Sequence, residues 1–390
     1  MATDSPFYLT RLECPICKTL NEFETVRVGA YVEKGRDTDF CPTEIEWRYP
    51  RYQSSNPLAY FTATCSNCYY TREFNNSYKE WQNDGNFRTY RLKTVKEKHL
   101  EHLAESDSYV KRIGEAIDLA NYPSESAILK LHLAVFDELL CDRPNQVDLG
   151  RFYLRIGWVF RRTADGNNPD SNFIQKSLRE VDNRCGDMEH TVSQLRQEAQ
   201  VYARHLAAHF ETDQVSAQAK SQMLPFRDKF DAQLAELQNT FDQTEAGLAA
   251  LQEQMNEYKA ASIGAAGAGF GRFATFADFL HDLRGSWDGI VVDETEALRA
   301  AIEPYKKAFA DGRSIAAGNQ QIQASYLIAE LSRRVGDYEE AKQYFNTTIK
   351  YGQEFIYKHR TDRSRTALAR KLLELAIEQG RENMDALKTA

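Results

Sequence analysis

The chain has 390 residues, of which 42% are hydrophobic and 27% charged, and its formal net charge is −8. This length allows two or three domains, and the abundance of Tyr and Phe excludes a wholly disordered chain. The acidic balance disfavours a protein that coats nucleic acid. No run of roughly 18 apolar residues is present, and the N-terminus lacks the basic start of a signal peptide. We therefore expect a cytoplasmic protein in a reducing compartment, where its seven cysteines stay unpaired.

Two matched cysteine pairs lie in the N-terminal part of the chain. They are Cys14 with Cys17, and Cys65 with Cys68. A gap of two residues lets a tight turn aim both thiolates at one point, and two such knuckles complete the tetrahedron of a closed zinc site. Beta-prone runs flank both pairs, as in a zinc ribbon. The sequence therefore predicts a structural Zn²⁺ held by these four cysteines.

Cys41 lies between the two pairs, in the segment GRDTDFCP at 35–42. It can replace a ligand, lie beside the metal, or be a small buried side chain. A thiol or metal sensor that uses Cys41 and one knuckle is a second alternative function. The redox interpretation of the CxxC pairs is weaker, because neither pair follows a strand and opens a helix.

The order of the motifs CPIC, GRDTDFCP and NPLAYFTATCSNC resembles a bacterial family called domain of unknown function 2225. The resemblance implies a Cys-rich N-terminal segment followed by tetratricopeptide-like helices, and it implies no activity. The residues that match the family motifs are Cys14, Cys17, Cys65 and Cys68 in the knuckles and Asp39, Phe40 and Cys41 in the central motif. Glycine is common after such knuckles, whereas Lys18 and Tyr69 stand there in this chain. A left-handed backbone is disfavoured for both residues.

A basic strip follows the second cysteine pair, from Arg88 to Lys98, interleaved with Phe87 and Tyr90. It supports an alternative function, a nucleic-acid-binding regulator that uses the ribbon, although a solvated helix explains the strip equally well. His99 and His102 are interpreted as ordinary helix residues.

Helical periodicity replaces the β-rich pattern after Leu92. The segment 326–345 has small residues at Ala329 and Ala341, a turn glycine at Gly336 and an aromatic at Phe345, which is the tetratricopeptide pattern. We expect its periodic aromatic side chains to pack in the core. Such repeats bury a face only by stacking, and they leave a surface for partner segments.

Gly157 lies in a helix that resembles the first helix of another repeat, whose partner helix is displaced by an insertion. Two heptad runs fill that insertion, from Leu178 to Leu206 and from Phe230 to Tyr258. They predict an antiparallel coiled-coil hairpin that pairs within one chain or with a second copy. Pro225 separates the runs, so the second helix is expected to begin near Phe226. Cys185 occupies a core position of the seam.

The predicted fold is mainly α, with a small β-rich zinc ribbon, a tetratricopeptide-like body and a long coiled-coil insertion. The predicted segments are a ribbon at 1–92, the first part of the body at 93–165, the hairpin arm with a Gly-rich joint at 166–272, and the second part of the body at 273–390. Because no catalytic constellation accompanies these elements, we predict a non-enzymatic adaptor or scaffold. Its partners are proteins, with nucleic acid and a membrane span disfavoured and a homo-oligomer through the coiled coil allowed.

Overall fold

The computed structural model describes residues 5–49, 52–53, 55–164, 169–211, 216–265, 273 and 275–389. The chain is mainly α-helical with a small β-rich N-terminal part, which confirms the predicted fold class. It divides into two compact units, one formed by Met1–Asp170 with Ala266–Ala390 and the other by Ser171–Ala265. The Gly-rich joint predicted before residue 272 lies, from 266 onward, outside the described residues.

Three antiparallel hairpins form the β-rich part. Their strands are β1 (Phe7–Glu13) with β2 (Leu20–Val26), β3 (Tyr31–Lys34) with β4 (Glu44–Trp47), and β5 (Thr62–Thr64) with β6 (Thr71–Glu73). Each sequence motif occupies the connection of one hairpin. The first cysteine pair joins β1 to β2, the GRDTDFCP segment joins β3 to β4, and the second cysteine pair joins β5 to β6.

In the described parts of the chain, the first unit contains nine α-helices and the second unit contains two. Those of the first unit are α1 (Leu92–Ala104), α2 (Tyr109–Glu115), α3 (Pro123–Leu139), α4 (Gln146–Ala164), α7 (Phe276–Arg284), α8 (Glu294–Asp311), α9 (Asn319–Arg334), α10 (Tyr338–Lys358) and α11 (Arg363–Thr389). Those of the second unit are α5 (Pro169–Glu211) and α6 (Ala217–Ala265).

Helices that are distant in sequence pack together across the insertion. Helix α4 packs on α8, α8 on α9, α9 on α10, and α10 on α11. Gly157 makes the first of these contacts close, because a Cβ atom there would lie 2.9 Å from the Leu298 side chain. The helix that packs against Gly157 is therefore supplied by the chain after the insertion.

One apolar core runs from the β-rich part into the helices. It includes Cys14 and Cys65 together with residues as distant in sequence as Leu331. A second cluster lies among α9, α10 and α11 and contains Tyr326 and Phe345. These two aromatic side chains are buried in the core, as predicted.

His132 is a fully buried histidine of α3 that is held in its neutral form. Its Nδ1 lies 3.0 Å from the carbonyl oxygen of Ile128, to which it can only donate. Its Nε2 accepts a hydrogen bond from the backbone N–H of Val291, at 3.1 Å. Burial lowers the pKa of His132 from 6.5 to about 4. The neutral imidazole therefore connects α3 to the segment before α8.

We expect this histidine to make the fold sensitive to acid. Between pH 6.5 and about 4, the His132 imidazole is protonated in the unfolded chain but remains neutral in the folded chain. Stability is then lost as the pH falls, by about 3 kcal/mol over this range. Urea unfolding at several pH values should show a shallower pH slope for His132→Asn than for the unsubstituted chain. Equal slopes would contradict the assignment.

Helices α5 and α6 of the second unit contact each other through ion pairs. Arg196 of α5 pairs with Asp242 at 2.6 Å and with Glu245 at 2.8 Å, both on α6. Cys185, a predicted seam residue, is buried, as is Phe241. These contacts define one face on each helix.

The predicted heptad seam is only partly buried. The side chains of the predicted seam residues Leu178, Val181, Met255 and Tyr258 lie outside the described part of the structure. Among the seam residues that are described, the exposed ones are Met188, Leu195, Tyr202, Leu206, Leu237 and Leu251. Arg196, which is next to Leu195 in sequence, pairs with α6, whereas the Leu195 side chain is exposed. The described seam is therefore buried in part and exposed in part, and the coiled-coil pairing stays a prediction.

Helix α6 begins at Ala217 and runs through Pro225, so the expected start near Phe226 is wrong. The residues that precede the proline, including Ala217, Gln218, Ala219 and Lys220, are good helix formers, and they continue the helix toward its N-terminus. In the parts of the chain that the structure describes, no helix combines the length and apolarity needed to cross a bilayer.

Candidate metal centre

The two cysteine pairs form turns with the same backbone pattern. In the first turn the Cys14 N–H donates to the Thr19 carbonyl and the Lys18 N–H donates to the Cys14 carbonyl. In the second turn the Cys65 N–H donates to the Tyr70 carbonyl, and the Tyr69 N–H donates to the Cys65 carbonyl. Each hairpin connection therefore closes on itself and points two sulfur atoms to one side.

The four sulfur atoms of Cys14, Cys17, Cys65 and Cys68 all lie within 4.8 Å of one another. The Sγ atoms of Cys14 and Cys68 are 3.7 Å apart, and those of Cys17 and Cys65 are 3.5 Å apart. A tetrahedral ion with metal–sulfur bonds of about 2.3 Å places its sulfur ligands about 3.8 Å apart. The spacing fits a thiolate-bound tetrahedral metal ion, and the structure brings together the four residues that the sequence singled out.

Burial and hydrogen bonding make this cluster suitable for a cation. Cys14, Cys65 and Cys68 are buried, and Cys17 is partly exposed. Hydrogen bonds from Cys14 and Cys68 lower the pKa of Cys65, whereas hydrogen bonds with Cys14 and Cys65, together with burial, raise the pKa of Cys68. Four thiolates this close repel one another, so full deprotonation requires a positive ion between them. Asn21 supports the cluster, since its Nδ2 lies 3.5 Å from Cys65 Sγ and its Oδ1 accepts from the Ser66 N–H.

Both residues that follow the knuckles adopt the left-handed conformation that was expected to be disfavoured. The φ angle is 66° at Lys18 and 63° at Tyr69. Their side chains find partners that compensate. Lys18 lies over the Trp81 ring at 4.4 Å, and the Tyr69 ring lies against Gly114 of α2. The turn geometry of the knuckle therefore outweighs the backbone preference of these two residues.

Gly114 is required for the second knuckle, because a Cβ atom there would lie 2.1 Å from the Tyr69 ring. We expect Gly114→Ala to destabilise the chain by about 1–3 kcal/mol through overpacking, and to speed the release of metal to a chelator. Thermal melts and chelator competition measure both effects. Gly85→Ala is the matched control, since its new Cβ meets nothing within 4 Å. The same loss in both variants would contradict this role of Gly114.

A buried His–Asp pair holds the second knuckle from behind. His99 of α1 places Nδ1 2.7 Å from Asp137 Oδ1 and Nε2 2.8 Å from the Cys68 carbonyl oxygen. That carbonyl can only accept, so Nε2 carries a hydrogen. The other oxygen of Asp137 accepts from the Thr71 N–H at 2.6 Å. The sequence interpretation of His99 as an ordinary helix residue missed this support, because a single histidine at helical spacing carries no such signal.

Cys41 is outside the sulfur cluster. In the described parts of the chain, the side-chain group able to hold a metal consists of Cys14, Cys17, Cys65 and Cys68, without Cys41. Its side chain is buried, and its Sγ lies 3.7 Å from the Pro42 carbonyl. Burial, reinforced by the charge of Asp39, raises the pKa of the Cys41 thiol to about 12. This environment favours a neutral thiol over the thiolate that a sensor would use.

The GRDTDFCP segment is fixed to the helices by a network of charges. Asp39, which is fully buried, accepts from both Nη atoms of Arg161 at 3.0 and 2.7 Å. It also accepts from the Trp158 indole N–H at 3.2 Å. Arg334 of α9 pairs with Asp37 at 2.6 Å. The central family motif, which forms the β3–β4 connection, is thus attached to α4 and α9.

The basic strip after the second knuckle is largely engaged within the protein. Arg88 donates to the Gln82 carbonyl, and Arg91 pairs with Glu138 at 3.3 Å. Lys98 pairs with Asp142 at 3.4 Å. These contacts favour the solvated-helix interpretation of the strip over a nucleic-acid interface.

The fold and the cluster define a class, an α-rich protein with a four-cysteine site on its β-rich N-terminal part. A profile of the family described as uncharacterized protein conserved in bacteria (DUF2225) matches residues 7–234 and 274–369. The chain belongs to this family, which confirms the resemblance. No curated protein and no solved structure gives a significant match.

Proposed function

We propose that the protein is a non-catalytic, zinc-containing adaptor of the bacterial cytoplasm that binds protein partners through its helical body. The observation that carries this proposal is an open groove of about 590 Å³ between α10 and α11. Its floor is apolar and its rim contains Lys342, Arg381 and Lys388 beside Asp385. A groove of this kind fits an extended or helical partner segment with apolar anchors and acidic flanks.

Zinc is the ion that best suits the four thiolates. It accepts tetrahedral sulfur coordination, and a site with four protein ligands leaves no position open for a reacting water. When bound, the ion would stabilise the two knuckles and supply no catalytic step. The direct packing of this region on α1 and α3 supports a role for the metal in holding the body in shape.

The arrangement of α9 and α10 supports a tetratricopeptide-like body. The small residues Ala329 and Ala341 are buried between these helices together with Tyr326 and Phe345. Helix α11 packs on both helices and forms the second wall of the groove. In this proposal the groove is the binding surface that stacked helical pairs leave open.

The test replaces two exposed groove residues, Ile377 and Met384, both by lysine. Leu368→Lys is the matched control, because Leu368 is equally exposed on α11 but does not line the groove. The tagged full-length forms are purified from the native cell, and co-purifying proteins are quantified by mass spectrometry.

We expect a defined set of proteins to co-purify with the unsubstituted chain and with the control. Their amounts should fall about tenfold or more with the double variant, which corresponds to a loss of about 1.4 kcal/mol or more in binding free energy. An identical set with all three forms would overturn it. Co-purifying nucleic acid whose amount falls steeply with salt would favour the nucleic-acid alternative instead.

A further inference from the structure

A second concave site lies between the β-rich part and α4. It is a cleft of about 640 Å³, within the size range of small-molecule sites. Its aromatic walls come from Tyr31, Tyr60, Phe61 and Trp158. Cys41 and Pro42, the end of the GRDTDFCP segment, also line it. The central family motif therefore shapes one side of this cleft.

The arginines of α4 differ in how their charges are balanced. Arg151 pairs with Glu73 and with Asp148, both at 3.0 Å. Arg161 pairs with Asp37, Asp39 and Glu294. These two side chains are neutralised within the protein.

Arg155, which lines the cleft, lacks such a counterion. Its Nη1 donates to the Arg151 carbonyl at 3.2 Å, and its guanidinium lies 4.1 Å from the Phe61 ring centroid. Within the described part of the chain, Arg155 forms no ion pair with a carboxylate, in contrast to Arg151 and Arg161. Stacking on an aromatic ring recovers only part of the cost of removing a guanidinium from water. Burial accordingly lowers the pKa of Arg155 to about 10.

The other charged groups on the walls leave the cleft basic. Arg27 also lines it, and the one carboxylate among the described lining residues is that of Glu33. Glu33 lies 3.4 Å from Arg36, so part of its charge is already engaged. A planar guanidinium fork beside flat rings is suited to a carboxylate or phosphate group attached to an apolar body.

We propose that this cleft binds a small organic anion, with a flat apolar part against the aromatic walls and a carboxylate or phosphate group on Arg155. The site goes beyond the adaptor role, which needs no small ligand, and it lies apart from the α10–α11 groove. A ligand bound here contacts both the central motif and α4.

Isothermal titration of the full-length chain with three probes tests the proposal. The probes are 2-naphthoate, 2-naphthyl phosphate and the neutral 2-naphthalenemethanol. We expect at least one anion to bind at least about tenfold more tightly than the alcohol, a difference of 1.4 kcal/mol or more. The two anions distinguish a carboxylate ligand from a phosphate ligand. Equal affinities for all three probes, or no binding of any of them, would overturn the proposal.

Variants then locate the bound anion. Arg155→Met keeps an unbranched apolar side chain but removes the charge, and we expect it to reduce the preference for the anion to about twofold or less, which is under 0.5 kcal/mol. Arg143→Met, on an exposed arginine outside the cleft, should leave the preference unchanged. Thermal melts verify folding. If Arg155→Met does not fold, Arg27→Met on the same cleft gives the same readout. An anion preference that survives substitution of the cleft arginines refutes the site.

Discussion

Cys65→Ser is expected to abolish metal binding and to unfold the β-rich part of the chain. The Cys65 sulfur lies 3.5 Å from that of Cys17, inside a cluster that fits one tetrahedral ion. The binding free energy of structural zinc sites is on the order of 10 kcal/mol at neutral pH, and it is also folding free energy. Loss of one of the four thiolates should remove most of this binding free energy. Elemental analysis should give about one zinc per chain without the substitution and almost none with it.

Cys41→Ser is the matched control, because Cys41 is equally buried but lies outside the cluster. It should keep its zinc and lose only the small stability of a buried thiol. If both variants kept the metal, the four-cysteine site would be wrong. If both variants lost it, Cys41 would have to act as a ligand. Circular dichroism before and after chelation separates metal loss from general misfolding.

Asp39→Ala is expected to be the most damaging single change away from the cysteines. Asp39 is fully buried and accepts hydrogen bonds from Arg161 and Trp158. Removing one partner of a buried ion pair leaves the other charge uncompensated, which costs about 3–5 kcal/mol. Urea unfolding measures this loss, which we expect to remain when metal is in excess.

Glu46→Ala provides the comparison for an exposed pair. Glu46 pairs with Lys34, and both side chains are about half exposed. Such pairs contribute about 0–1 kcal/mol. If Asp39→Ala cost no more than Glu46→Ala, the GRDTDFCP segment would not fasten the β-rich part to the helices in the way its contacts indicate.

The sequence allowed the cysteine cluster to be predicted because its information is local. A gap of two residues identifies each knuckle. Because the chain contains two knuckles with the same gap, the two are expected to share one metal site. The mainly helical class followed from periodicity, which is also local. The sequence did not decide the role of Cys41, because a thiol that lies between the two pairs in sequence can be near or far from them in space.

The support of the cluster could not be predicted in the same way. His99 and Asp137 are 38 positions apart, on separate helices, and neither belongs to a recognisable motif. Their pairing depends on how α1 and α3 pack. The same reason applies to the partial exposure of the heptad seam, where Arg196 pairs with two carboxylates on α6 while Leu195 is exposed. Periodicity identifies an apolar stripe, but polar partners on the neighbouring helix also decide which way it faces.

The continuity of the main core has a consequence for synthesis on the ribosome. The residues that close this core extend from Cys14 to Leu331, so the N-terminal knuckles emerge long before the helices that complete their surroundings. A nascent chain that ends after α4 exposes the face around Gly157 that Leu298 later covers. The entropy of closing such a long loop rises only slowly with its length, so a long insertion is tolerated at equilibrium. The main effect of the insertion is to delay completion of the core during synthesis. The incomplete nascent chain should therefore be the form most exposed to proteases and chaperones.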